Sequence, residues 1–310
     1  MKHKQFPELP ENVRKAVIPA IYHGYISSPA DYTPQWKHTF CGTFITKYGA
    51  RITALNLFRD LLRRDPTWDD LTEENLHELK ERVVQNYCPS TAVSVFKYYR
   101  ATINARLESQ DIPFRNYKRI LRVKPSISEA VYLTENEIQH IYDYKPRNYI
   151  EEIVREIFLI GCYTGARFSD SAELTTSNIQ QDGYLHYVTQ KTQTPVTLPQ
   201  HRNLPSLLHE HKHNIPQLSV FNDTLRLICQ KCHITKPTTL TRRGKTTTQP
   251  KCEFVASHTA RRSFATNLFL RGAEVQQIQK FMGHTFDAQT RKYIVAERRV
   301  SPQIEQFFKQ

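Results

Sequence analysis

Four side chains packed between His258 and Tyr293 are of the types that suit chemistry on a phosphodiester: His258, Arg261, His284 and Tyr293 itself. A tyrosine phenol can attack phosphorus, guanidinium groups can hold the non-bridging oxygens, and imidazoles can donate to the phosphate or move a proton. In-line attack by Tyr293 builds charge on those oxygens and needs a proton for the departing 5′-oxygen. Arg167 and Arg261 answer the first need, each with a planar fork of donors and a permanent charge, so the set works without a metal. Lys191 is the candidate donor to the leaving oxygen. His258, three residues before Arg261 on the same helix face, is placed to take the phenol proton or to bond the phosphate, and His284 to donate to the phosphate in the transition state. A free phenol titrates near pH 10, so it must lose its proton as it attacks, which nearby cations ease. The resulting phosphotyrosine keeps the energy of the broken bond, so a 5′-hydroxyl can reverse the attack. No ATP and no cofactor are needed.

These residues need elements to position them. Ile150, Ile153, Val154, Ile157 and Ile160 form one helix face, which breaks at Gly161 to Gly165, and Arg167 follows at once. Asp170 lies one turn further on the same face, where it can orient the guanidinium, although such a pair taken alone is an ordinary surface contact. Residues 184–190 alternate and are rich in β-formers, and 195–198 return, which predicts a hairpin with Lys191 at its tip. His258 and Arg261 sit at a helix start. Gly283 ends a helix predicted over 274–282 and delivers His284.

The segment upstream reads as separate pieces. Residues 1–32, with Pro7, Pro10, Pro19 and Pro29, form a lead-in arm. Residues 33–113 hold three helical patterns: one through Ala54, Leu57, Phe58, Leu61 and Leu62 that stops at Asp65-Pro66, one capped by Thr72, and one from about Ser90. Residues 114–132 are irregular and basic, which predicts an interdomain linker, and 133–310 form the domain that carries the chemistry. Thr134 caps its first helix. Lys97 and Arg100 on the bundle, and Arg115, Lys118, Arg119, Arg122 and Lys124 on the linker, are candidate phosphate contacts; a solvated face and a solvated tether are the plain alternatives. Residues 236–251 read as a Thr-rich, acid-free loop, whose Arg242, Arg243 and Lys245 reach over DNA or remain in solvent.

Composition narrows the class. The 310 residues include 43 Lys plus Arg against 30 Asp plus Glu, a formal charge of +13 that favours a polyanionic partner, with double-stranded DNA the natural candidate. Mean hydropathy is −0.58, no run approaches the roughly 20 apolar residues of a spanning helix, and the N-terminus lacks a signal-peptide core, so a cytoplasmic protein with no membrane role is expected. Six scattered cysteines then fill core positions as reduced thiols. Cys229-Gln230-Lys231-Cys232-His233 matches a haem-attachment pattern and half of a zinc site, but the segment also has a good core-helix reading, and no metal is expected.

Taken in order, Thr164-Gly165-Ala166-Arg167 with Asp170, the hairpin Lys191, His258-Thr259-Ala260-Arg261, Gly283-His284 and Tyr293 resemble the tyrosine recombinase, or phage integrase, family. The likeness covers roughly residues 133–300, with the preceding bundle similar to the family's core-binding domain more loosely. Met282 stands where the family usually has leucine, a volume-conserving swap. The resemblance implies a mainly α fold with a small β-hairpin, an N-terminal helical bundle and a mixed α/β catalytic domain. It also implies a C-shaped clamp on DNA, a homotetramer on two recombination sites that is monomeric or weakly associated when free, and sequential strand exchange through a Holliday junction. A type IB topoisomerase uses similar chemistry, but the His258-x-x-Arg261 box and the Gly283-His284 spacing lean away from it. A silent DNA-binding protein is the alternative from another class. The last residues carry Ile304, Phe307 and Phe308 at helical spacing, which fits docking on a neighbouring subunit or on the chain's own domain.

Overall fold

A computed structural model describes residues 38–108, 112–124, 129–210, 214–242 and 245–295. The lead-in arm, Arg243 and the Ile304–Phe308 stretch lie outside these residues. The chain divides into two compact units, with the second beginning at Glu129.

The first unit is a helical bundle. Helices α1 (Phe40–Tyr48) and α2 (Ile52–Leu62) are separated by one 3-10 turn, and α2 stops as Arg63 turns into the left-handed region at φ 56°. Thr72 caps α3 (Glu73–Asn86) by accepting from the Asn75 amide, and Pro89 opens α4 (Pro89–Asn104), a position where its missing N–H costs nothing. Their apolar faces meet around Phe40, Phe58, Phe96 and Tyr99, all fully buried, and the Tyr99 hydroxyl donates to the Ala54 carbonyl at 2.8 Å. The stretch expected to be a linker departs from that reading. Ile112, Tyr117, Ile120 and Leu121 are buried in this bundle's core, and Tyr117–Ile120 forms a short helix, α5. Its i, i+3, i+4 apolar spacing outweighs the cations around it.

The second unit carries the chemistry. Thr134 and Glu137 form a reciprocal capping box at the start of α6 (Glu135–Asp143). The long α7 (Tyr149–Thr164) forms the centre of the core with α10 (Ser257–Leu270), α9 (Leu218–Lys231) and α8 (Phe168–Glu173) packed on it. Contrary to the sequence reading, α7 does not break at Gly161 but runs on to Thr164. The stop is Gly165, at φ 67°, where an added Cβ would lie 2.4 Å from the Phe264 ring. Strands β1 (Tyr184–Val188) and β2 (Pro195–Pro199) pair antiparallel with Leu185 opposite Leu198 and Tyr187 opposite Val196, so Leu185, Tyr187, Val196 and Leu198 face inward. Residues 236–251, expected as a loop, instead contain a second hairpin, β3 (Pro237–Arg242) and β4 (Lys245–Pro250). Threonine hydroxyls pair across it, Thr239 with Thr248 at 2.8 Å and Thr241 with Thr246 at 2.9 Å. The chain then runs through α11 (Val275–Phe281) and α12 (Asp287–Arg291) to Tyr293.

Cys162, Cys229, Cys232 and Cys252 are all buried in this core as free thiols, and burial raises the pKa of each. Among the described residues no three His, Cys, Asp or Glu side chains are arranged to hold a metal ion, and no helix is long and apolar enough to cross a membrane.

Candidate active site

Five segments of the second unit converge: the loop from α7 to α8, the tip of the first hairpin, the start of α10, the α11–α12 turn and the residues after α12. Arg167 stands at the position just before α8 and is held near Asp170, with Nη1 3.7 Å from Oδ2. The other Asp170 oxygen accepts from the Gln190 amide at 3.1 Å. Asp170 therefore orients Arg167 and also ties α8 to the hairpin end that presents Lys191. Lys191 is exposed at that tip, as the alternation predicts.

Arg261 is the buried hub, only 1 % exposed. Its Nη1 donates to the Gly165 carbonyl, and its Nη2 donates to the Met282 carbonyl at 3.1 Å and to His284 Nε2 at 2.7 Å. From residue type alone both arginine forks are expected to hold a phosphate. Here Arg261 spends its terminal nitrogens on the turns around Gly165 and Met282, and its burial lowers its pKa. Gly283 makes the second turn possible. It sits at φ 60°, and a Cβ there would lie 3.0 Å from both Thr189 and Val196 on the hairpin.

Tyr293 lies over this hub. Its ring stacks on His284 with centroids 5.4 Å apart, and the Arg261 guanidinium carbon lies 5.3 Å from its ring centre. Its backbone is clasped by one fully buried hydroxyl, since Thr266 Oγ1 donates to the Tyr293 carbonyl at 3.2 Å and accepts from the Val295 amide at 3.1 Å. His284 is 9 % exposed, and burial, then the charges of Arg261 and Arg167, push its pKa down to about 4. His258 keeps more of its surface open. The enclosed part of its ring, then Arg262, Arg261, Arg167 and Lys191, lower its pKa too. Both imidazoles are neutral at pH 7, the form that can accept a proton.

Unpaired polar atoms mark the same place. Among the described residues six buried side-chain polar atoms lack a hydrogen-bond partner, and four are Arg167 Nη1, Asp170 Oδ2, Tyr187 Oη and Arg261 Nε. Tyr187 feels the charges of Arg261, Asp170 and Arg167, and burial holds its phenol far above the usual range, so it stays a neutral donor. Buried polar groups are nearly always paired, so such a cluster stands out in this core, and two of its atoms, Arg167 Nη1 and Asp170 Oδ2, face each other at 3.7 Å. The sequence reading missed Tyr187. The only signal was an inward strand position holding a residue with a hydroxyl.

The candidate DNA contacts fall in several environments. Lys97, Arg115, Lys118, Arg119, Arg122 and Lys124 are exposed. Arg119 lies 4.0 Å from Glu73, and Arg100 is half-buried with Nη1 donating to the Leu121 carbonyl, so Arg100 serves the bundle as well as its surface. Arg100, Lys118 and Arg122 line one cleft of the first unit. Arg242 and Lys245 end the strands of the second hairpin; the placement of their side chains is outside the described residues.

The depressed His284 pKa sets a pH dependence. The unfolded imidazole binds a proton below its ordinary value of 6.5, whereas the folded one resists until about 4, so stability is full above pH 6.5 and falls as pH drops between the two. By pH 4.5 this group alone removes roughly 2–3 kcal/mol. Urea unfolding at pH 7 and 4.5 should show a smaller acid loss in His284→Gln than in the parent; equal losses would contradict the assignment.

Solved structures share the fold. The Tn1549 transposon integrase, in complex with a circular intermediate DNA, superposes with a TM-score of 0.59 at 12 % identity over 94 % of this chain and 99 % of that one. A lambda integrase tetramer bound to a Holliday junction gives 0.58 at 14 % identity, over 93 % of this chain and 88 % of that one. The shared fold is that of a tyrosine recombinase, mainly helical with small antiparallel sheets. The Phage integrase family matches residues 131–299, and the chain belongs to that family. The integrase of Escherichia phage P2 is 27 % identical over 199 residues, which is 63 % of this chain and 51 % of that protein, so the chain spans about half the length of this relative.

Proposed function

We propose that the chain is a site-specific DNA recombinase that cuts and rejoins strands through a 3′-phosphotyrosine at Tyr293. The observation that carries the reading is the meeting of Tyr293, His284, Arg261 and Arg167 in one cluster, where buried donors lack partners. In the proposed step the Tyr293 oxygen bonds to phosphorus while the bond to the 5′-oxygen breaks. The phenol proton passes to a neutral imidazole, His258 or His284, and Lys191 protonates the leaving oxygen. Arg167, oriented by Asp170, meets the charge that grows on the non-bridging oxygens, and Arg261 adds a buried positive charge behind the tyrosine. Attack by a 5′-hydroxyl of the partner strand reverses the step and seals a recombinant strand.

The basic cleft of Arg100, Lys118 and Arg122, with Lys97, Arg115, Arg119 and Lys124 nearby in sequence, is suited to tracking a phosphate backbone, and the cations Arg242, Arg243 and Lys245 of the 236–251 sequence are candidates for the same task. Exchange takes place in a tetramer on two DNA sites, a reading supported by the likeness of fold to a lambda integrase tetramer bound to a Holliday junction. The test uses nicked duplexes built from the DNA flanking the gene, in EDTA and without ATP. A detergent-resistant adduct on the 3′ side of the nick is expected, and its absence across both flanks contradicts the proposal.

A further inference from the structure

We infer that Thr189 is a positioning residue for Lys191: its buried hydroxyl fixes the tip of the first hairpin, and with it the lysine that protonates the departing 5′-oxygen. Its importance rests on the proposed cleavage step, in which Lys191 gives up that proton. Lys191 is exposed, so its placement depends on how its two neighbours are held. On one side the Gln190 amide donates to Asp170 at 3.1 Å. On the other, the hydroxyls of Thr192 and Thr189 lie 2.8 Å apart and share a hydrogen bond, and Thr189 Oγ1 also accepts from the Thr194 amide at 3.0 Å.

Thr189 has no exposed surface. Its backbone closes the same turn, since its amide donates to the Thr194 carbonyl at 3.0 Å and its carbonyl accepts from the Gln193 amide at 2.9 Å. Any residue could make those two bonds; only a hydroxyl reaches Thr192, directly after the lysine. The turn needs such bonds, because Gln193 is held in the left-handed region at φ 50°. The methyl of Thr189 faces the opposite way, toward Gly283, where an added Cβ would lie 3.0 Å from Thr189 Cγ2. Lys191 is thus tied on one flank to the carboxylate that orients Arg167 and on the other to a side chain packed on the turn that delivers His284.

Replacing the leaving oxygen tests the assignment. A cysteine-like thiol ionises at about pH 8.5, so a sulfur in the 5′ position departs as the thiolate and needs no acid. Nicked duplexes are built from the DNA flanking the gene with oxygen or sulfur on the 5′ side of the bond the parent cuts, and single-turnover adduct formation by the full-length protein is measured on both. On the oxygen duplex Thr189→Val, which keeps the shape and loses the hydroxyl, should be about tenfold to a hundredfold slower than the parent, and Thr189→Ser should recover most of the rate. On the sulfur duplex Thr189→Val should come within about threefold of the parent, and Lys191→Ala should show the same contrast. A residue that only supported the fold would slow both duplexes alike. Equal losses on the two duplexes, or a Thr189→Val rate near the parent's on oxygen, overturn the inference. Should Thr189→Val not fold, Thr192→Val removes the other end of the hydroxyl pair at an exposed position and must give the same oxygen-only loss; equal losses again overturn it. A parent that forms no adduct on either duplex overturns the recombinase reading itself and takes the inference with it.

Discussion

Tyr293→Phe is expected to bind its DNA site with little change in affinity and to form no covalent adduct, a loss of at least about 10⁴-fold in cleavage. The separation of binding from chemistry follows from the packing. The phenylalanine ring keeps the 5.4 Å stack on His284 and the face turned to Arg261, and the backbone clasp by Thr266 does not involve the hydroxyl. Only the attacking oxygen is lost, so stability should change by less than about 1 kcal/mol. Gel shift and adduct assays on one nicked duplex read the two properties side by side. Adduct formation near the parent level in this variant would remove Tyr293 from the mechanism.

The second large effect belongs to Arg261. A lysine keeps the charge but offers a single ammonium on a flexible stem, and no single position of it reproduces the fork that reaches Gly165, Met282 and His284 together. Arg261→Lys should lower stability by about 2–4 kcal/mol, because buried carbonyls and a buried imidazole lose their donor. Cleavage should fall at least about 100-fold at temperatures where the variant remains folded, since the turns that deliver Arg167 and His284 are no longer tied to one centre. Chemical denaturation and adduct yield measured on the same preparation check both halves. If Arg261 acted on the phosphate alone, cleavage would drop with no change in stability.

Much of the site is legible in the sequence because each part is local. Arg167 follows a glycine that needs a positive φ, Lys191 follows a strict alternation, His258 and Arg261 share a helix face, and His284 follows a helix-ending glycine. What could not be read locally are the partnerships. Arg261 looks like a free phosphate clamp until the carbonyls of Gly165 and Met282 are brought to it from segments 96 and 21 residues away. Tyr187 looks like an ordinary inward strand residue until Arg167 and Asp170 approach it. Thr189 and Thr266 carry no distinguishing signal, since a buried hydroxyl is informative only when its partner is known.

The fold follows the same division. Capped amphipathic helices such as α3 and α6 were predictable from Thr72 and Thr134, and the first hairpin from its apolar alternation. The second hairpin was hidden because its strands are built of threonines that pair with each other across the strands, leaving no apolar period to detect. Residues 112–124 were hidden for the opposite reason. Their cations and flanking prolines suggest a tether, while Tyr117, Ile120 and Leu121 at helical spacing, together with Ile112, hold them in the bundle core.

The proposed recombinase stands or falls on the covalent joining of Tyr293 to the 3′ end of a cut strand. Its most direct test traps the parent protein on a nicked duplex, digests protein and DNA, and sequences the nucleotide-bearing peptide by mass spectrometry. A 3′-phosphonucleotide on the hydroxyl of Tyr293 is expected. A nucleotide on any other residue, or on a 5′ end, would contradict it.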